Sequence, residues 1–90
     1  MVSAVKIRLA PLLHSYTAGA ASVTAEGANL GAVLDDLDRQ FPGIRFRIVD
    51  EQSRLRRHVR CFVNAADVRD LAAPLHSGDE VFIVGALSGG

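Results

Sequence analysis

One segment limits the folds open to this chain more than any other. Leu30, Val33, Leu34, Leu37 and Phe41 recur at i, i+3, i+4, i+7 and i+11, which places them on one face of an α-helix, with Asp35, Asp36, Asp38 and Arg39 at the other positions. Asn29 stands where an N-cap is wanted, and Pro42-Gly43 stops the helix. No other stretch of the 90 residues carries a convincing helical stripe, so the rest of the chain must cover the apolar face of a single helix. A small mixed sheet is the partner that does so.

The remaining pattern supplies that sheet. Val5, Ile7 and Leu9 alternate with Lys6 and Arg8, the period of a strand with one buried and one wet face. Ser22-Val23-Thr24-Ala25 is short and β-branched. The small, polar stretch His14 to Ala20 between these two reads as a hairpin return, which makes the first two strands antiparallel. Val59, Cys61 and Val63 alternate with His58, Arg60 and Phe62 up to a turn at Asn64, and a short extended piece follows at Asp67-Val68-Arg69. After the Ser77-Gly78-Asp79 turn signal, Glu80 to Val84 alternates again with Val81 and Ile83 on one face. Residues 44–57 stay unassigned: Ile44, Phe46 and Ile48 alternate with Arg45 and Arg47, and Asp50-Glu51-Gln52-Ser53 reads as a turn. One helix across a mixed sheet of four or five strands is the α+β arrangement called the β-grasp, or ubiquitin-like, fold. There the final strand lies centrally beside the first and sends the C-terminus off one end of the sheet. The expected organisation is a domain over residues 1–86 and a flexible tail over 87–90.

Composition narrows the function classes. A 49% hydrophobic and 22% charged chain of this length buries one core without disulfide or metal, and the single Cys61 has no internal partner for a bridge. No apolar run approaches the roughly 20 residues of a membrane span. Leu9-Ala10-Pro11-Leu12-Leu13 is too short and proline-broken for a signal peptide, so a cytoplasmic protein is expected. Ten basic side chains balance ten acidic ones, which argues against a general polyanion binder. The balance is uneven along the chain: residues 44–60 hold six basic and two acidic groups, residues 61–90 one and four. Arg54, Arg56, Arg57, Arg60 and His58 lack the interleaved aromatics of a nucleic-acid patch, so they read first as a solvated loop and next as a contact for an acidic protein.

Catalytic patterns are missing. His14, His58 and His76 are far apart and without metal-ligand spacing. Cys61 alternates inward with Val59 and Val63 and reads as a small buried hydrophobe rather than a nucleophile. The three helix aspartates fall opposite the leucine stripe, where carboxylates are ordinarily just solvated. What remains is the chain end, Gly89-Gly90. A carboxylate that must enter a narrow channel to be activated needs a backbone without side chains, because any Cβ would collide with the channel wall.

The helix Asn29-Leu30-Gly31-Ala32-Val33-Leu34-Asp35-Asp36-Leu37, the Phe41-Pro42-Gly43 stop, Phe62-Val63-Asn64, Ser77-Gly78-Asp79-Glu80-Val81-Phe82-Ile83-Val84 and Gly89-Gly90 together resemble the MoaD/ThiS family of sulfur carriers. The closest resemblance within it is to the cysteine-synthesis (CysO) type. It implies no enzyme and no bound cofactor. A ubiquitin-activating-type adenylyltransferase/sulfurtransferase would spend ATP on the Gly90 carboxylate, with Gly89 giving access. A sulfur donor would leave a thiocarboxylate there, and a sulfur-accepting biosynthetic enzyme would consume it. The expected chain is a monomer when free, with no nucleic-acid or membrane partner. Two departures from the family pattern stand out: Gly85 where a proline is common, and Asn64-Ala65 where Asn-Gly is frequent. Phe62 and Phe82 fall on the outward faces of neighbouring strands and, with Leu87, are the expected partner-docking residues. Two other readings stay open: a ubiquitin-like modifier conjugated through Gly90, and a β-grasp binding module whose Gly-Gly is incidental.

Overall fold

The computed structural model describes residues 4–85. Strands β1 (Ala4–Leu9), β2 (Ser22–Glu26), β3 (Val59–Val63), β4 (Ala66–Val68) and β5 (Glu80–Gly85) form one sheet in the order β2-β1-β5-β3-β4. β1 and β2 are antiparallel, as expected from the hairpin. β5 is central: it runs parallel to β1, with Ile7 opposite Val81 and Leu9 opposite Ile83, and antiparallel to β3, with Cys61 opposite Ile83 and Val63 opposite Val81. The period-two pattern therefore sends Val5, Ile7, Leu9, Val59, Cys61, Val81 and Ile83 to one face, where they join a single core with helix α1 (Leu30–Gln40). Leu30, Val33, Leu34 and Leu37 are fully buried, each contributing about 1.5–3 kcal/mol by removal from water. This is the β-grasp arrangement.

Local signals explain how α1 is seated. Asn29 Oδ1 accepts from the Ala32 amide at 2.8 Å, satisfying one of the free N–H groups of the first turn. The helix aspartates do more than face water. Asp36 accepts from the Glu26 amide at 3.0 Å and from Gln40, and pairs with Arg39; these bonds, the Glu26 one foremost, hold its carboxyl below the ordinary range. Asp38 Oδ1 accepts from the Gly43 and Arg45 amides. Asp35 lies 2.7 Å from Arg45 Nε as an ion pair without hydrogen-bond alignment. At Gly27 a Cβ would lie 2.6 Å from the Val33 amide nitrogen, so glycine is what lets β2 end against the helix.

Two segments depart from the sequence reading. The hairpin return is a 3-10 helix, Pro11–Thr17, in which Leu13 and Thr17 are buried. Pro11 starts it with a preset φ, and Thr17 Oγ1 donates to the Ala20 carbonyl at 2.8 Å to close it. The alternating stretch after Gly43 is a short helix, α2 (Ile44–Ile48), with Ile44 and Ile48 buried one turn apart and Phe46 left out. Asp38, reaching over from α1, receives the first amides of that helix.

The β3–β4 connection takes two residues, Asn64 and Ala65, with φ of +49° and +73°. Both are left-handed, as a two-residue type I′ hairpin turn requires. Asn64 tolerates this and is fixed further: its Nδ2 donates to Asp79 and its Oδ1 accepts from the Glu80 amide, each at 3.0 Å. Ala65 has no such compensation, and its Cβ costs about 1–2 kcal/mol in that region. Replacing Ala65→Gly should therefore stabilise the domain by about 1 kcal/mol, after allowing for the greater freedom of glycine in the unfolded chain. An unchanged or lowered melting temperature would contradict the strained-turn account.

Candidate functional site

Because Ile83 and Val81 point into the core, their neighbours on β5 point out. Phe82 faces Phe62 directly across β3 and Arg8 directly across β1, and Phe62 in turn faces Asp67 on β4. The two rings thus sit side by side at the middle of the solvent face, half-buried, bordered by Arg8, Ala65 and Glu80. The Arg8 guanidinium carbon lies 5.1 Å from the Phe82 ring centroid, within cation–π range, and Arg8 and Lys6 both approach the Glu80 carboxylate, at 3.8 and 3.9 Å. An apolar pair flanked by charges of both signs has the composition of a protein-docking patch. The expected pair is therefore brought together. No residue of 44–57 borders it.

The other three expected site residues, Leu87, Gly89 and Gly90, lie outside the described residues, as does the proposed tail 87–90. Their root is Gly85, the last residue of β5, which pairs with Val59 of β3 at the end of the ladder.

Cys61 lies inward, as its alternation with Val59 and Val63 predicts. Cys61 is fully buried, and desolvation pushes its thiol pKa up to about 12, so almost no thiolate forms near neutrality. Among the described residues no group of three metal-ligating side chains comes together, and no helix is long and apolar enough to cross a membrane. Part of the basic set is structural: Arg60 pairs with Asp67 at 3.2 Å, and Arg54 bonds Gln52.

Two features escaped the sequence reading. Arg69 donates to the carbonyls of Val59, Leu55 and Arg56 at 3.0–3.3 Å and so clamps the loop entering β3. A lone arginine between a short strand and a loop gives no pattern to announce this. The second is a cleft beside Gly85 lined by Leu12, Phe46, Arg47, Arg56 and His58, residues drawn from three separate segments.

Comparison with known proteins fits this geometry. Residues 12–90 match the family model described as the ThiS family. The chain belongs to the ThiS family. It is 40% identical over 91 residues to the sulfur carrier protein CysO of Mycobacterium tuberculosis, covering 96% of this chain and 98% of that one. A chain in the crystal structure of the Amycolatopsis orientalis BexX/CysO complex superposes with a TM-score of 0.88 at 35% identity, covering 96% of this chain and 99% of that one. The small archaeal modifier protein 1 of Methanosarcina acetivorans superposes with a TM-score of 0.83 at 26% identity, covering 100% of this chain and 99% of that protein. This ThiS-family chain is thus matched in fold and length to sulfur carriers.

A direct check on the idle thiol is available. At pH 8 Cys61 should resist a thiol-specific alkylating reagent in the native protein and react fully once the chain is unfolded in guanidinium. Fast stoichiometric labelling of the folded protein would return the cysteine to the list of candidate reactive groups.

Proposed function

We propose that this chain is a sulfur carrier whose working group is the Gly90 carboxylate, and that it acts as the substrate of partner enzymes rather than as a catalyst. The observation that carries this reading is its likeness to a sulfur carrier across the full length of both chains, with Gly89-Gly90 closing the sequence. In the cycle, a Gly90 carboxylate oxygen attacks the α-phosphorus of ATP on an adenylating partner and pyrophosphate leaves. Sulfide then attacks the carbonyl carbon of the acyl adenylate, the C–O bond to AMP breaks, and a thiocarboxylate remains. Its sulfur attacks an electrophilic carbon of the acceptor's substrate and displaces the leaving group that carbon carries, and hydrolysis of the acyl–sulfur bond then releases the thiol product and returns the carboxylate. ATP belongs to the partner, and the carrier itself binds no cofactor.

The parts of this chain serve that cycle by placement. Residues 1–86 form the recognised body and 87–90 the segment that reaches the partner's active site, where the absence of Cβ atoms at Gly89 and Gly90 lets the backbone thread. Phe62 and Phe82 form the surface by which the adenylating enzyme recognises the body, and Leu87 adds a contact from the reaching segment. A free thioacid would react with whatever electrophile it met. Attached to a folded domain, it is spent only by enzymes that bind that domain.

A second reading, a protein modifier joined through Gly90 to lysines, is favoured by the likeness to small archaeal modifier protein 1. The two differ in product. Incubated with ATP, sulfide and an adenylating enzyme from its own genome, the chain should gain the mass of one oxygen exchanged for sulfur, and deletion of Gly90 should abolish the gain. Lysine-linked conjugates in cell extract without that mass change would select the modifier instead. In the same assay Phe82→Ala should raise the KM for the carrier about tenfold, since a central aromatic anchor is typically worth more than 1 kcal/mol. An unaltered KM would remove the phenylalanine pair from the docking surface.

A further inference from the structure

We propose that the cleft at the root of the C-terminal segment is a second docking surface, which receives an acidic rim at the mouth of the channel by which the adenylating enzyme takes in Gly90. The inference rests on the carrier reading above. Among the described residues the exposed large hydrophobic side chains are Leu12, at 41%, and Phe46, at 59%, and both line this one cleft of about 260 Å³. Leu12 comes from the 3-10 helix and Phe46 from α2, so the fold alone brings them together.

Phe46 is held in its exposed position. Ile44 and Ile48 anchor α2 in the core, which leaves the residue midway between them on the opposite side of the turn. Arg56 Nε donates to the Phe46 carbonyl at 2.7 Å, and the guanidinium carbon stands 4.7 Å from the ring centroid. The guanidinium thus covers one side of a ring that is otherwise open to a partner.

Charge names the partner. Arg8, Arg39, Arg45 and Arg60 each stand within ion-pair distance of a carboxylate. Among the described residues, Arg47 and Arg56 in the cleft have no carboxylate at that distance, as is also true of Arg54, Arg57 and Arg69 outside it, and Arg56 acts on Asp50 only at longer range. Two exposed apolar side chains beside the Arg47 and Arg56 guanidinium groups on one patch are both complemented by an acidic surface carrying apolar side chains.

Position names the part of the partner. Gly85 lies on the rim of the cleft and ends β5. Gly90 is the fifth residue after it, a reach of at most about 18 Å. An enzyme that closes on Gly90 must therefore bring the entrance of its channel up to Gly85. The phenylalanine pair lies on the outer face of the sheet and the cleft at the sheet's end on the α2 side, so the entrance grips the root from two directions.

The test uses the full chain carrying Phe46→Ser or the pair Arg47→Glu and His58→Glu. These side chains are exposed, so melting should not change. With thiocarboxylate formation followed by intact mass at fixed enzyme, either variant should raise the KM for the carrier about tenfold while kcat stays within about twofold. The KM of the unsubstituted chain should rise with ionic strength, and the charge-reversed pair should flatten or invert that dependence. Unchanged KM and salt dependence in a system where the unsubstituted chain gains sulfur would overturn the cleft and leave the carrier reading standing. A single-stranded oligonucleotide that binds the chain and loses affinity in the charge-reversed pair, with KM unmoved, would overturn it in favour of nucleic acid. Failure of the unsubstituted chain to gain sulfur would overturn both.

Discussion

The pairing of β5 on both edges is the constraint on which the rest of this structure depends. A strand hydrogen-bonded to β1 on one side and β3 on the other has no free edge, and its alternate side chains must face opposite ways. Val81 and Ile83 are thereby committed to the core under α1, and Glu80, Phe82 and Val84 to the solvent face. The same pairing determines where Gly85 leaves the sheet. A one-residue slip would exchange the two faces at once, exposing the core residues and burying Glu80. The register is accordingly secured at its start, where Asn64 holds both the Glu80 amide and the Asp79 carboxylate.

Rigid surroundings at the point of exit suit a protein whose proposed chemistry lies at its terminus. Arg69 ties the loop before β3 to the backbone, Asp38 joins α1 to α2, and Asp36 joins α1 to β2. These contacts fix the faces around Gly85. The one thiol is buried among hydrocarbon and the histidines are dispersed. What the body offers a partner is shape and charge in defined positions beside the place where the last five residues begin.

Much of this was legible in the residues. The α1 stripe, the Asn29 cap, the inward set Val59, Cys61 and Val81 and the outward pair Phe62 and Phe82 all follow from periods of 3.6 and 2, which the backbone enforces locally. Other features were not. Ile44, Phe46 and Ile48 satisfy alternation as well as the i, i+4 spacing of a helix, and five residues are too few to separate the periods. The helix is supported by contacts from other elements: Asp38 of α1 accepts its first amides, and the core buries Ile44 and Ile48. Pro11 reads in the sequence only as a break in the apolar stretch, whereas in the fold it heads the 3-10 helix. The need for glycine at position 27 has no local signature, since only the approach of Val33 leaves no room for a Cβ.

Sequence by itself determined the fold class, the faces of its elements and the Gly-Gly end, because helix and strand periodicity and side-chain size act through neighbours along the chain. Tertiary structure alone decided that Leu12, Phe46, Arg47, Arg56 and His58 share one cleft beside Gly85, and that α1's aspartates cap and tie other elements. Those relations join segments separated by tens of residues. No local pattern encodes them, and only the closing of the sheet around β5 brings them within contact distance.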